Sequence, residues 1–127
     1  MTTIDADALP RAGDLAWVDF RPTLGREQSG VRPAIVLSSL DFHRINDTAI
    51  VCPITSNVKA WPTKVLLPEG LAVSGAVLTD QIRCVDRAAR GFRRVGSVPQ
   101  DVLIRIRLSI AEIIGITTDL QLDATEP

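Results

Sequence analysis

The chain has 127 residues, 46% of them hydrophobic, and a formal net charge of −1. That length makes one domain able to bury about two-thirds of its surface, so folding needs neither a disulfide framework nor a structural metal. No run approaches the ~20 apolar residues of a membrane span, and the start, MTTIDADALP, lacks the basic region and apolar core of a secretion signal, so the expectation is a cytosolic protein that meets no membrane.

Residues 1–12 read as a loose polar leader. Asp14 to Phe20 is short and rich in Trp, Val and Phe, as strands prefer. Pro22, Gly25 and Gly30 then punctuate a polar loop carrying Arg21, Arg26, Glu27 and Gln28. A second strand, Ala34 to Leu37, follows, and Arg32 stands at its mouth, held extended by Pro33. A carboxylate and a guanidinium five residues apart across a hinge form a candidate acid/base pair facing a phosphate; the same spacing also reads as a surface hairpin with an ordinary exposed ion pair.

Leu40 to Thr48 reads as a turn-rich connection. It holds the single histidine, His43, expected to be solvated. One histidine leaves no two-histidine ribonuclease site and no multi-histidine metal centre within a chain, so no metal and no cofactor are expected. Ala49 to Thr55 is an apolar strand in which Pro53 implies an edge or a bulge, which would re-aim Thr55 and Ser56. Asn57 to Pro62 is a loop with Lys59 and Trp61. Thr63 to Leu67 is a strand, Glu69-Gly70 a turn, and Ala76 to Val85 a strand interrupted by a polar insert, Thr79-Asp80-Gln81. Cys52 and Cys84, with no CxxC spacing, are expected to be buried thiols in strands.

Arg83, Arg87, Arg90, Arg93 and Arg94 then crowd one region, which reads as an anion-facing surface. The low net charge conceals it: residues 1–10 and 116–127 hold five acidic and no basic side chains, leaving 14 basic against 10 acidic in between, and 12 of the 14 are arginine. Arginine suits bidentate phosphate contacts and stacking on bases. Pro99 to Ile114 is the clearest helix, with Pro99 at its first turn, Asp101 at the positive end of its dipole and Gly115 as C-cap. Val102, Leu103, Ile106, Ile110, Ile113 and Ile114 form its core stripe, while Ile104 and Leu108 hint at a second buried face. Residues 116–127 read as an acidic mobile tail. Five or six strands and one terminal helix make a mainly β (α+β) fold, a small curved sheet with a covering helix.

The stretch GDLAWVDFRPTLGREQSGVRPAIVLS, Gly13 to Ser38, resembles the opening signature of the MazF/PemK family of toxin endoribonucleases. VCPIT at Val51 to Thr55, VLTDQIRCVDRAAR at Val77 to Arg90, and a final helix closing at Gly115 match in order. The likeness spans residues 13–115 as a single domain. It implies a small SH3-like β-barrel of the MazF/PemK/CcdB type, homodimeric, with single-stranded RNA lying across a groove at the dimer interface and a cognate MazE/PemI-like antitoxin whose acidic tail blocks that groove.

RNA can be cut without metal by its own 2′-hydroxyl, a group DNA lacks. The reaction needs a base, charge stabilisation for the phosphorane and an acid for the leaving oxygen. The resemblance aligns Glu27 with the family's proposed general base, Arg32 with its motif arginine and Thr55 with its active-site threonine. Charge stabilisation is the better role for Arg32, since a guanidinium does not give up its proton readily. For holding RNA, Trp61 is the candidate stacking platform and Trp17 is expected in the core; Gln28 and Gln81 are candidates for base edges, and Ser56, Lys59, Arg83 and Arg87 for further RNA contacts. Two other readings compete: a non-enzymatic gyrase poison of the CcdB type, which has no use for a phosphorane site, and an SH3-like peptide-binding module, which needs an aromatic groove that a chain with no Tyr is poorly supplied to build.

Overall fold

The computed structural model describes residues 9–22, 25 and 30–117. Its elements run β1 (Asp14–Asp19), β2 (Val31–Val36), α1 (Leu40–Ile45), β3 (Thr48–Thr55), β4 (Lys64–Leu66), β5 (Ala76–Leu78), β6 (Arg83–Asp86), β7 (Arg93–Ser97) and α2 (Gln100–Ile114). The strands pair antiparallel in one sheet of order β4-β5-β3-β2-β1-β7, with β6 also on β3. β5 pairs Val77 with Ile54, and β6 pairs Arg83 with Val51, so the polar 79–82 segment bulges out of what is otherwise one strand alongside β3. No pairing joins β4 to β7 among the described residues, so the sheet is open between them.

Period-two alternation sends each strand's apolar residues to both faces. Leu15, Ile35, Cys52, Ile54 and Val77 face one way and meet Val102 and Ile106 of α2. Ala16, Val18, Ala34, Val36, Val51 and Val85 face the other way and close around Phe20, with Phe92 packed against them. This second cluster is drawn from strands and their flanking residues, without α2. Its residues are out of water because the sheet curls around them.

Several readings change. The 40–48 connection contains α1, with Ser39 Oγ accepting from the Phe42 N–H at 3.2 Å as N-cap; at six residues it is too short for a sequence period to betray. β7 was concealed by two arginines and a glycine, and it exists because β1 offers it an edge. The α2 stripe holds for Val102, Leu103 and Ile106, with Ile110 packed beside them, but Ile113 and Ile114 are exposed because the last turn runs past the sheet. Ile104 and Leu108 are likewise exposed within the chain. Gly115 closes the helix in the left-handed region, at φ +82°. Cys52 is buried, and burial pushes its thiol up to about 12. Cys84 is exposed, against expectation, because it alternates with the inward Val85.

Candidate active site

The β2–β3 ladder runs from Val36–Val51 to Ala34–Pro53 and stops there. Pro53 has no N–H to offer, and the next two residues, Ile54 and Thr55, pair only with β5, on the other edge of β3. Pro53 thus lies mid-sheet rather than on an edge, at the point where the ladder to β2 ends. Beyond it β2 and β3 part, leaving a cleft of about 450 Å³. Val31, Arg32 and Pro33 form one wall, Ile54 and Ser56 the other, and Trp17 and residues 72–74 complete the lining among the described residues. Neither Arg32 nor Thr55 belongs to the β2–β3 ladder: Arg32 pairs with Val18 of β1 and lines the cleft, and Thr55 pairs with Ala76 of β5.

Thr55 is buried and sits between two residues of the cleft wall. Its Oγ1 accepts from the Asn57 N–H at 3.1 Å, a bond that leaves the hydroxyl hydrogen for another acceptor. A glycine holds it there. A Cβ at Gly75 would lie 2.3 Å from the Thr55 carbonyl oxygen, and Gly75 has φ +132°, so only glycine lets the 74–76 backbone cross this close. Sequence reading missed Gly75; its one signal was a glycine directly ahead of an apolar strand.

The 56–61 loop is folded by its own polar groups. Asn57 Oδ1 accepts from the Lys59 N–H at 3.0 Å, and Lys64 Nζ donates to the carbonyls of Asn57 and Lys59 at 2.9 and 3.1 Å. Ser56 and Lys59 are exposed, and Trp61 is 65% exposed, outside the cleft. Gln81 is half-buried in the bulge between β5 and β6, its N–H donating to the Leu78 carbonyl at 3.1 Å. Glu27 and Gln28 lie outside the described residues. Among the described residues no three His, Cys, Asp or Glu side chains gather as metal ligands, and no helix is long and apolar enough to cross a membrane.

Residues 11–114 match the family described as PemK-like, MazF-like toxin of type II toxin-antitoxin system. The chain belongs to that family. It is 38% identical over 107 residues to the endoribonuclease toxin MazF of Escherichia coli K12, covering 84% of this chain and 96% of that one. It is 34% identical over 82 residues to the endoribonuclease EndoA of Bacillus subtilis, covering 61% of this chain and 71% of that one. Its structure is similar to that of MazF from Deinococcus radiodurans, with a TM-score of 0.80 at 39% identity, covering 84% of this chain and 97% of that one. A MazE-MazF structure from the same organism matches with a TM-score of 0.75 at 35% identity, covering 86% and 98%.

In this MazF/PemK-type chain the arginine crowd is partly spent on the fold itself. Arg87 donates to the carbonyls of His43 and Asn46 at 3.1 and 2.6 Å, holding the C-terminal end of α1 rather than lining the cleft. Arg83 lies over the Phe20 ring, 5.2 Å from its centroid, and donates to the Phe20 carbonyl at 3.3 Å. Arg90 donates to the Arg21 carbonyl, and Arg94 pairs with the buried Asp14 at 2.9 Å. Carbonyl oxygens and Asp14 thus offset much of the crowding that the sequence assigned to an outside anion. Arg21 itself grips Asp19 through two bonds of 2.9 and 3.0 Å at the stem of the 21–30 loop, and this holds the Asp19 carboxyl down at about 2.

His43 is buried, not solvated. Pro10 O can only accept, so Nδ1 carries the proton at 2.7 Å, and Nε2 accepts from Ser38 Oγ at 2.7 Å. Ser38 Oγ in turn accepts from the Ile50 N–H at 2.8 Å. Burial lowers the His43 pKa, with the nearby Arg87 charge acting in the same direction. The pair is a buried tie for the chain at Pro10, with no opening for a substrate.

Proposed function

We propose that this protein is the endoribonuclease toxin of a toxin–antitoxin pair, cutting single-stranded RNA by attack of a 2′-hydroxyl on the adjacent phosphorus. The observation that carries this reading is the match of residues 11–114 to the PemK-like, MazF-like toxin family, supported by a cleft at the end of the β2–β3 ladder that Arg32 lines and that has Ile54 and Ser56, the neighbours of Thr55, on its other wall. A phosphate there meets the Arg32 guanidinium, which stabilises the dianionic phosphorane, and the Thr55 hydroxyl, which donates to a phosphate oxygen. Glu27, by its match to the family motif, is the base that takes the 2′-proton. The P–O5′ bond breaks as the 2′-O–P bond forms, and the leaving 5′-oxygen takes a proton from water, so the products are a 2′,3′-cyclic phosphate and a 5′-hydroxyl end, and no step calls for a metal or cofactor.

The protein acts as a homodimer with an SH3-like core. The curled sheet around Phe20 supports the core, and the exposed Ile104 and Leu108, one turn apart on the outer side of α2, support a second copy packing there. A cognate antitoxin is the second partner, supported by the likeness to a MazE-MazF structure. Its acidic tail lies in the cleft and blocks RNA. Ser56, Lys59, Gln28 and Gln81 contact the strand around the cut, and the protein works in the cytosol.

The test is cleavage of mixed-sequence RNA in EDTA, with ends mapped and Arg32→Ala alongside. Cuts at a short recurrent motif with 5′-hydroxyl ends are expected. The variant should lose about 10²–10³-fold in rate, the scale of one electrostatic donor. Absence of cutting by the folded wild type across varied RNA would overturn the reading.

A further inference from the structure

Trp17 departs from the core role its strand suggests. Its neighbours Ala16 and Val18 are fully buried, yet Trp17 is only half-buried and lines the cleft. Strand pairing sets it opposite Pro33 on one side and opposite Arg93 on the other. Residues opposite one another in an antiparallel ladder share a face, with Cβ atoms about 4.5–5.5 Å apart. An indole therefore stands on the cleft side of the sheet with an exposed arginine beside it, and Arg93 forms none of the ion pairs among the described residues.

The cleft suits a flat, weakly polar group next to an anion. Its volume falls in the ~300–1,000 Å³ range of small-molecule sites. Pro33 and Val73 make its walls apolar, and Ser56 and Ser74 place hydroxyls on it that can donate or accept. The 72–74 wall sits close to the sheet because β7 has a glycine beneath it: a Cβ at Gly96 would lie 2.9 Å from Ala72 Cβ. Arg32 is also among the lining residues but pairs with Val18 and so alternates away from Trp17 and Pro33; an RNA strand with a phosphate at Arg32 passes the end of the β2–β3 ladder to set a neighbouring base on the indole.

We infer that the cleft is a nucleobase subsite, in which one base of the RNA stacks on the Trp17 indole while Arg93 holds a phosphate beside it. This deepens the endoribonuclease reading and rests on it. Trp17, not the outlying Trp61, is then the stacking platform.

Replacing Trp61 by Phe leaves Trp17 as the only indole. A short mixed-sequence 2′-O-methyl RNA, which lacks the attacking hydroxyl and stays uncut, is titrated in, beside an abasic ribose-phosphate chain of equal length. Saturable quenching of the indole and loss of its access to acrylamide are expected with the first and not with the second. In cleavage assays Trp17→Leu should raise KM about tenfold or more with kcat kept, the scale of one lost base stack, and Trp17→Phe should restore it. If the oligomer binds by anisotropy while Trp17 emission and acrylamide access stay unchanged, the subsite is wrong and the ribonuclease reading stands. If the indole is shielded before any oligomer is added, protein covers the cleft and the subsite is equally wrong. Neither binding nor cleavage of RNA by the wild type would remove both.

Discussion

Two corners of the sheet use arginine in opposite ways. At the α1 corner, Arg87, His43, Ser38 and the carbonyls of Pro10 and Asn46 close on one another, and only Arg87 Nε is left without a partner among the described residues. At the Pro53 cleft the strands part instead, and Ser56 and Ser74 stand exposed while the Thr55 hydroxyl hydrogen is not used by its bond to Asn57. The difference teaches that an arginine's place in the tertiary structure, not its type, decides what it does. A helix end supplies them at Arg87, and the mouth of a splitting ladder presents a cleft to Arg32.

That contrast breaks most sharply in a pair of variants. Arg32→Ala should cost about 10²–10³-fold in cleavage per folded molecule. Arg87→Ala should do the reverse: cleavage per folded molecule unchanged, and stability lower by about 1–3 kcal/mol as two buried carbonyls lose a donor. Equal loss of cleavage in both would erase the distinction. Gly75→Ala should slow cleavage by up to about 10²-fold by displacing Thr55, and should add little in a Thr55→Ala background. Gly91→Ala is its control, since Gly91 also has positive φ (+63°) but no atom within 4 Å of an added Cβ. Additive losses from Gly75→Ala and Thr55→Ala in the double variant would count against positioning.

The pH effect is smaller and belongs to the closed corner. His43 has a folded pKa below its ordinary 6.5, so the unfolded chain binds the extra proton first. Stability is therefore full above about pH 6.5 and is lost as pH falls below it, levelling off once the folded form also protonates. Melting curves across that window should slope for the wild type and flatten for His43→Gln. Smallest is Ser39→Ala, which removes the α1 N-cap for about 1 kcal/mol, read by denaturant midpoint.

Much of the fold was legible because strands β1 to β4 and the long α2 carry periodic apolar patterns. The β5–β6 bulge was legible from its Thr-Asp-Gln insert. α1 was not, since a six-residue helix owes its stability to Ser39 and to the burial of His43, which a one-dimensional pattern does not carry. β7 escaped for a related reason: Arg93 and Arg94 are tolerable in a strand because one lies beside Trp17 and the other pairs with Asp14. At the site, Arg32 and Thr55 were reached through motifs, and Trp17 was assigned to the core because a strand tryptophan usually packs. Its exposure is decided by where the ladder ends.

By itself the sequence determined the family, the strand-rich single domain, the terminal helix and the candidate reacting groups, because these reside in local pattern and motif. Only the tertiary structure decided which arginines are spent on carbonyls, that Gly75 presses on Thr55, and that the sheet opens at Pro53 beside Trp17. Those facts depend on strand register and on approaches between residues distant in the chain, where a proline's missing N–H and a glycine's missing Cβ act on partners that the sequence does not place next to them.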